Sequence, residues 1–161
     1  MEKIYFAKLK EQAMIPSKRS EDGAFDIYAC FEEDEVVIAP HQTVLIPTGL
    51  ASAFSQDYVA IFKERGSTGT KGIGQRCGVI DSGYRGEWFV AMTNHNAQQL
   101  VITKKEASSY TNDTIVYPYE KAIAQCIMVQ VPRLAVEEIT VEALEAMASE
   151  RGTGRLGSSG K

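Results

Sequence analysis

The stretch GVIDSGYRGEW, Gly78 to Trp88, is the most informative in the chain. Apolar residues run up to Asp81. A glycine-rich turn follows, with Tyr84 between Gly83 and Gly86, and Trp88 opens a new apolar run. The pattern reads as an apolar run, a tight turn and a second apolar run. Glycines at such a turn let the backbone come closer to a neighbour or a ligand than any side chain permits. The turn also sets an acid, Asp81, against an aromatic, Tyr84. Alone, that pair is explained by a turn acid and a half-buried ring. Its chemical meaning depends on what else the chain carries.

Outward from this turn, the chain reads as many short strands. FDIYACF (25–31), VVI (36–38), TVLIPT (43–48), YVAIFK (58–63), WFVAMT (88–93), LVIT (100–103), TIVY (114–117) and AQCIMVQV (124–131) are rich in aromatic and β-branched residues. Each is bounded by Gly, Pro, Asn, Asp or Ser. Strands at this spacing predict an antiparallel sandwich or barrel. Two stretches suggest helix. STGTKG (67–72) holds one short turn at most. VEALEAMA (141–148) follows a capping Thr140 and sets Val141, Leu144 and Ala148 on one face.

Composition bounds the function. With 161 residues, 44% hydrophobic and 24% charged, the chain is one domain with a real core. A formal net charge of −4 gives no argument for nucleic-acid or membrane binding. No apolar run approaches the roughly 18 residues of a membrane helix, and MEKIYFAKLKEQ lacks a signal-peptide core. Cys30, Cys77 and Cys126 are widely spaced and read as buried thiols in a reducing cytosol. His41 and His95 stand without metal-ligand company, so no zinc site is expected.

Two glycine-rich segments carry lysine or arginine. GSTGTKG (66–72) is not a Walker loop, since the spacing before Lys71 is wrong and no long helix follows. RGTGRLGSSG (151–160) is too glycine-rich to hold structure alone. Both nonetheless offer backbone N–H groups, hydroxyls and a cation (Arg65, Lys71, Arg151, Arg155), a combination suited to an oligophosphate.

Taken in order, GAFDIYA (23–29), ERGSTG (64–69), GVIDSGYRGE (78–87), KAIAQ (121–125) and RGTGRLGSSG (151–160) resemble the five motifs of the dUTP pyrophosphatase (dUTPase) family. The resemblance spans almost the whole chain. It implies an all-β jelly roll, or distorted β-barrel, with little helix. It divides the chain into a barrel domain, 1–150, and a glycine-rich C-terminal arm, 151–161, that closes over an active site. It implies a cytoplasmic homotrimer with active sites between subunits. The reaction would be Mg²⁺-assisted attack of water on the α-phosphorus of dUTP, giving dUMP and pyrophosphate.

Roles follow position by position. GVIDSGYRGEW would be a β-hairpin whose open end is the nucleoside slot. There the backbone at Gly78, Val79 and Ile80 would read uracil, and Tyr84 would stack under the deoxyribose and exclude a 2′-hydroxyl. Asp81 would orient or activate water as general base. Asp26 would hold hydrated Mg²⁺ through its waters, Arg65 would pair with phosphate, and Gly66 and Ser67 would donate to it. Gln125 would position water or phosphate. Arg151, Gly157, Ser158 and Ser159 would clamp the γ-phosphate, with Leu156 over the base. The chain departs from the family pattern twice. Arg65-Gly66-Ser67 replaces Arg-Ser-Gly, and Arg155-Leu156 replaces a glycine–aromatic pair.

A related reading is dCTP deaminase, which shares fold and motifs. That chemistry needs a proton-carrying glutamate where this chain has Ala91, and it favours tryptophan where this chain has Tyr84. Finally, residues 95–122 are longer than in compact members of the family. Extra segments there resemble those of dUTPases from phages of Gram-positive bacteria, some of which bind repressor proteins. A repressor partner through 95–122 is the corresponding expectation, against a plain surface hairpin.

Overall fold

Alternating burial sets the walls of the fold. The computed structural model describes residues 3–76 and 78–154. Its strands are β1 (Tyr5–Lys8), β2 (Phe25–Ile27), β3 (Glu35–Ile38), β4 (Thr43–Pro47), β5 (Leu50–Ala53) and β6 (Tyr58–Lys63), followed by the single-turn helix α1 (Gly66–Gly69). Then come β7 (Ile73–Arg76), β8 (Val79–Ile80), β9 (Phe89–Asn94), β10 (Gln99–Thr103), β11 (Thr114–Pro118), β12 (Ala124–Gln130) and α2 (Val141–Glu145). On β6, Ala60 and Phe62 point inward, and on β12 Ala124 and Cys126 do, as period-2 side chains require. Strands β9 and β10 are buried along almost their whole length, and each is the central strand of a three-stranded sheet.

The ladders form sheets β2-β12-β6-β8, β4-β9-β7, β11-β10-β3 and β1-β5, wrapped around one core that includes Ile27, Ile38, Phe62, Ile73, Trp88, Leu100 and Ile123. This is the all-β architecture that the strand pattern predicted, and the jelly roll that the resemblance implied. All eight strands named from the pattern are present, with ends shifted by a few residues. Of the other four, β8 is the first arm of the hairpin that the resemblance implied, and β1, β5 and β7 were not expected.

Two expectations are corrected. The sheets are not wholly antiparallel, since β10 and β11 pair in parallel, Gln99 opposite Thr114. Parallel neighbours ordinarily need a crossover of a dozen or more residues. Here residues 104–113 suffice because they are pinned at several points. The Lys104 ammonium donates to Phe31 O (2.8 Å) and Glu32 O (3.0 Å) and lies over the rings of Phe31 (5.2 Å) and Tyr119 (4.8 Å). Lys105 pairs with Glu35 at 3.1 Å, and the Tyr110 hydroxyl bonds Glu35 and Thr103 Oγ1. The range 95–122 is therefore no appended hairpin. Leu100, Val101 and Ile102 belong to the core, and only the crossover stands out from it.

The second correction concerns Gly78–Trp88. Its turn forms, with Tyr84 N donating to Asp81 O at 3.0 Å. Its two flanks, however, enter different sheets, β8 pairing with β6, and β9 with β4 and β7. It is a bridge between sheets rather than a hairpin.

After β12 the chain leaves the barrel with Val131 N bonded to Asp57 O (2.8 Å) and Arg133 paired with Asp57 (2.6 Å). Thr140 caps α2 as expected, accepting from Ala143 N at 3.2 Å. The helix ends at Glu145, short of Ala148, and Val141 and Leu144 are exposed.

Cys30 and Cys126 are buried and unpaired with each other, while Cys77 lies outside the described residues. Burial pushes the Cys126 thiol up to about 12 and also raises that of Cys30. In a Cys77→Ala variant at pH 8, Ellman's reagent should leave both thiols unmodified over minutes, and both should react once the chain is unfolded in guanidinium chloride. Fast titration of either thiol in the native state would contradict the burial.

Candidate functional site

Asp26 and Gln125 are separated by most of the chain, yet antiparallel pairing of β2 with β12 sets them directly opposite each other. Directly opposed residues project from the same face. Arg65 forms an ion pair with the Asp26 carboxylate, Nε lying 3.0 Å from Oδ1, and its Nη2 donates to Oδ2 at 3.3 Å. Arg65 Nη1 also donates to Ala122 O at 3.2 Å, an oxygen shared with the Tyr117 hydroxyl at 2.5 Å. Gln125 Nε2 donates to Glu64 O at 2.7 Å. Glu64 in turn is held below the usual carboxylate range by backbone N–H donors, its own and that of Gln75. These bonds fix the side chains of Arg65 and Gln125 at one end of the β2-β12-β6 sheet.

The turn after Arg65 supplies the next wall. Thr68 Oγ1 accepts from Arg65 N (3.1 Å), and Thr68 N donates to Arg65 O (3.0 Å). This closes the one-turn helix and leaves Gly66 and Ser67 exposed. Together Asp26, Arg65, Gly66, Ser67 and Gln125 line a cleft of about 880 Å³. The opposite wall was not foreseen. It is the loop 17–24, with Ser17, Lys18, Arg19, Glu21 and Asp22. In sequence SKRSEDG carries no signal beyond that of a solvated polar loop.

Gly78, Val79, Ile80, Asp81 and Tyr84 gather elsewhere, around a slot of about 260 Å³ completed by Glu87 and Phe89. Gly78 has φ 127°, and a Cβ there would stand 2.8 Å from Phe62 Cβ. Phe62 N donates to Gly78 O at 2.8 Å, so this close approach carries the ladder. At Gly86 a Cβ would stand 2.6 Å from Tyr84 Cζ. The absent side chain is thus the space in which the tyrosine ring lies, its hydroxyl donating to Glu87 O at 3.0 Å. Arg85 pins the turn by donating to Ser82 O (2.6 Å) and Ser52 O (3.3 Å). The turn hangs from Trp88, whose ring meets Phe6 and Phe62 edge-to-face at 5.2 and 5.4 Å.

Among the described residues, the slot and the cleft share no lining residue. Arg151 lines neither. It is exposed, with Nε donating to Gly154 O at 3.1 Å. Leu156, Gly157, Ser158 and Ser159 lie outside the described residues. Ala91 is buried on β9, its backbone opposite Leu45 and Arg76.

The dUTPase family model matches residues 10–107. The chain belongs to the dUTPase family. Two curated dUTPases, each named deoxyuridine 5′-triphosphate nucleotidohydrolase, illustrate the relationship. That of Nautilia profundicola is 32% identical over 99% of both chains. That of Bordetella pertussis is 34% identical, covering 99% of this chain and 95% of its own. Among solved dUTPase structures, that of Staphylococcus bacteriophage 80alpha, a point mutant with dUpNHpp, has a TM-score of 0.76 at 20% identity, covering 98% of each chain. The dUTPase of phage phi11 of S. aureus, solved as a mutant that reveals the coordination of a structural Mg(II) ion, has a TM-score of 0.69 at 18% identity. It covers 85% of this chain and 96% of its own. At these identities the two phage structures establish the fold.

Gly78→Ala tests the slot's foundation. A left-handed φ and a methyl group against Phe62 should together cost about 1–3 kcal/mol or more, read as a lowered urea midpoint. A midpoint equal to wild type would mean that the backbone at 78 is not held as described.

Proposed function

We propose that the chain hydrolyses dUTP to dUMP and pyrophosphate, limiting uracil in DNA and supplying dUMP. The observation that carries the reading is a pair of complementary half-sites in a member of the dUTPase family. One is an apolar, glycine-walled slot with an acid at its mouth. The other is a polar cleft with a fixed arginine. In the slot, backbone groups from Gly78 to Ile80 bind the uracil edge and Tyr84 supports the deoxyribose. Stacked under the sugar, the ring would leave no room for a 2′-hydroxyl. Asp81, exposed at the slot's mouth, accepts the proton of the attacking water. In the cleft, Arg65, Gly66 and Ser67 hold the phosphates, and Gln125 orients phosphate or water.

The donor set of the cleft fits magnesium held through its waters. Among the described residues no three carboxylate, His or Cys groups cluster as a cage, and both Asp26 oxygens already face Arg65. This suits an ion that keeps its waters and arrives with the substrate's phosphates. Bound there, Mg²⁺ would neutralise phosphate charge as the α-phosphorus is attacked.

Slot and cleft occupy different parts of one chain, and a single dUTP must meet both. This supports a homotrimer in which one copy supplies the slot, another the cleft, and the arm 151–161 closes over them, with Arg151 and 157–159 on the γ-phosphate and Leu156 toward the base. Deamination of dCTP is not proposed, because Ala91 has no group to move a proton. A cytoplasmic setting fits the nucleotide chemistry and the unpaired buried thiols.

The test is a substrate panel with Mg²⁺. Pyrophosphate release should be far faster from dUTP than from UTP, dTTP or dCTP, and Asp81→Asn should lower kcat by roughly a hundredfold or more. Comparable turnover of UTP or dTTP, or near-normal kcat in Asp81→Asn, would overturn the reading.

A second, regulatory reading draws on the pinned crossover 104–113, an exposed feature built onto the barrel. Phage 80alpha dUTPase is described as controlling transfer of virulence genes by a proto-oncogenic G protein-like mechanism. In this chain the crossover would present a surface to a repressor protein. Charge-reversing or bulky substitutions at the exposed residues Glu106, Ala107 and Ser108, whose side chains take no part in the pinning bonds, should abolish capture of such a partner and spare hydrolysis. Unchanged capture would dismiss the crossover as the docking surface.

A further inference from the structure

The wall of the cleft facing Arg65 repeats Arg65's own geometry. Arg19 grips Asp22 at two points, Nε to Oδ2 at 3.0 Å and Nη2 to Oδ1 at 3.1 Å, as Arg65 grips Asp26. Arg19 N adds a third bond to Asp22 Oδ2 at 3.2 Å, and Lys18 Nζ donates to Asp22 O at 2.5 Å. The cleft thus contains two arginine–aspartate clasps. Its cations, Lys18, Arg19 and Arg65, are matched one for one by Glu21, Asp22 and Asp26.

A magnesium triphosphate is a net anion. A cleft of balanced charge attracts it weakly unless an arginine exchanges its acid for phosphate. Arg65 is poorly placed to leave, since Asp26 and Ala122 O hold it together in a half-buried position. Arg19 is 88% exposed and is held by one acid in its own loop. Exposed ion pairs contribute little, so the exchange is cheap. Lys18 is less free, because its ammonium bonds the Asp22 carbonyl and lies 5.7 Å from the Phe25 ring. A planar guanidinium also matches two phosphate oxygens at once, which an ammonium does not.

We propose that Arg19 is a second phosphate-binding arginine of the cleft, held ready by Asp22 and transferred to the triphosphate when substrate enters. The proposal rests on the triphosphate reading of the cleft. Asp22 is then a positioning residue whose removal strengthens binding. If the clasp were only a staple of the 19–22 turn, its removal would loosen the loop and weaken binding.

That difference in sign is the test. Affinity for inorganic triphosphate with Mg²⁺ is measured by calorimetry at low salt on the full chain, alongside KM and kcat for dUTP. Arg19→Ala should weaken triphosphate roughly tenfold, the scale of charge-assisted bonds, with the loss in turnover falling mainly on KM. Arg19→Lys should lie between. Asp22→Asn should tighten binding several-fold, beyond Glu21→Gln, which removes the same charge from the same loop without freeing Arg19. That excess should vanish in the Arg19→Ala background. Melting temperatures separate misfolded variants, and Arg19→Lys preserves the test if Arg19→Ala fails to fold. The proposal is overturned if Arg19→Ala leaves triphosphate affinity within twofold, or if Asp22→Asn weakens it as Arg19→Ala does. Should the affinities follow the expected order while the wild type hydrolyses no dUTP, Arg19 keeps its role and the dUTPase reading fails.

Discussion

The burial of Trp88 is the constraint on which the rest depends. Its backbone N donates to Leu50 O at 2.8 Å, and its carbonyl accepts from Thr48 N (3.2 Å) and Thr48 Oγ1 (2.8 Å). Its ring fills the centre of the core between Phe6 and Phe62. One residue thereby ties β5 and the start of β9 to the aromatic centre, and the turn 81–87 is suspended from it. A slot walled by backbone needs a loop that is thin but immobile. Thinness comes from Gly78, Gly83 and Gly86, and immobility from the anchor beneath them. Trp88 Nε1 is buried without a partner among the described residues.

Electrostatics divide the labour differently. The slot is lined mainly by backbone and apolar groups, with Asp81 at its mouth. The cleft is dense in charge but balanced, so its arginines are aligned before any phosphate arrives. Alignment of this sort is what makes phosphate binding specific rather than a general attraction to anions. In a protein of net charge −4, a cleft that exchanges partners avoids carrying a permanent positive patch.

Most of the architecture was legible because burial imposes alternation, and the strands with bulky alternating residues were the ones identified. The missed strands explain themselves. β5 is LASA, small residues with weak strand preference, and it is ordered by pairing with β1 and by Trp88. β7 is IGQR, where Gly74 makes room for the His95 ring. β1, YFAK, is mostly exposed and lacks a clean hydrophobic face. The parallel pairing of β10 with β11 depends on Lys104, Tyr110 and Glu35, side chains whose partners are distant in sequence. In the site, motif residues such as Asp26, Arg65 and Gln125 were identifiable, since each belongs to a recognisable string. Lys18, Arg19 and Asp22 were not, because a polar loop looks the same whether it faces a cleft or open water.

The pairing of Asp26 with Gln125 also has a temporal consequence. It joins the second strand to the last one, so the loop it closes is nearly the whole domain. Closure entropy grows with loop length, and topologies rich in such distant pairings fold slowly. The β4–β9 ladder, Thr43 opposite Thr93, can form from an incomplete chain, and so can the seat of Trp88. The wall that sets Asp26 beside Gln125 cannot, because β12 is the last of the described strands to leave the ribosome. The slot around Gly78 and Tyr84 can therefore precede the cleft around Asp26 and Gln125 during synthesis, and a nascent chain acquires that cleft only when its barrel is complete.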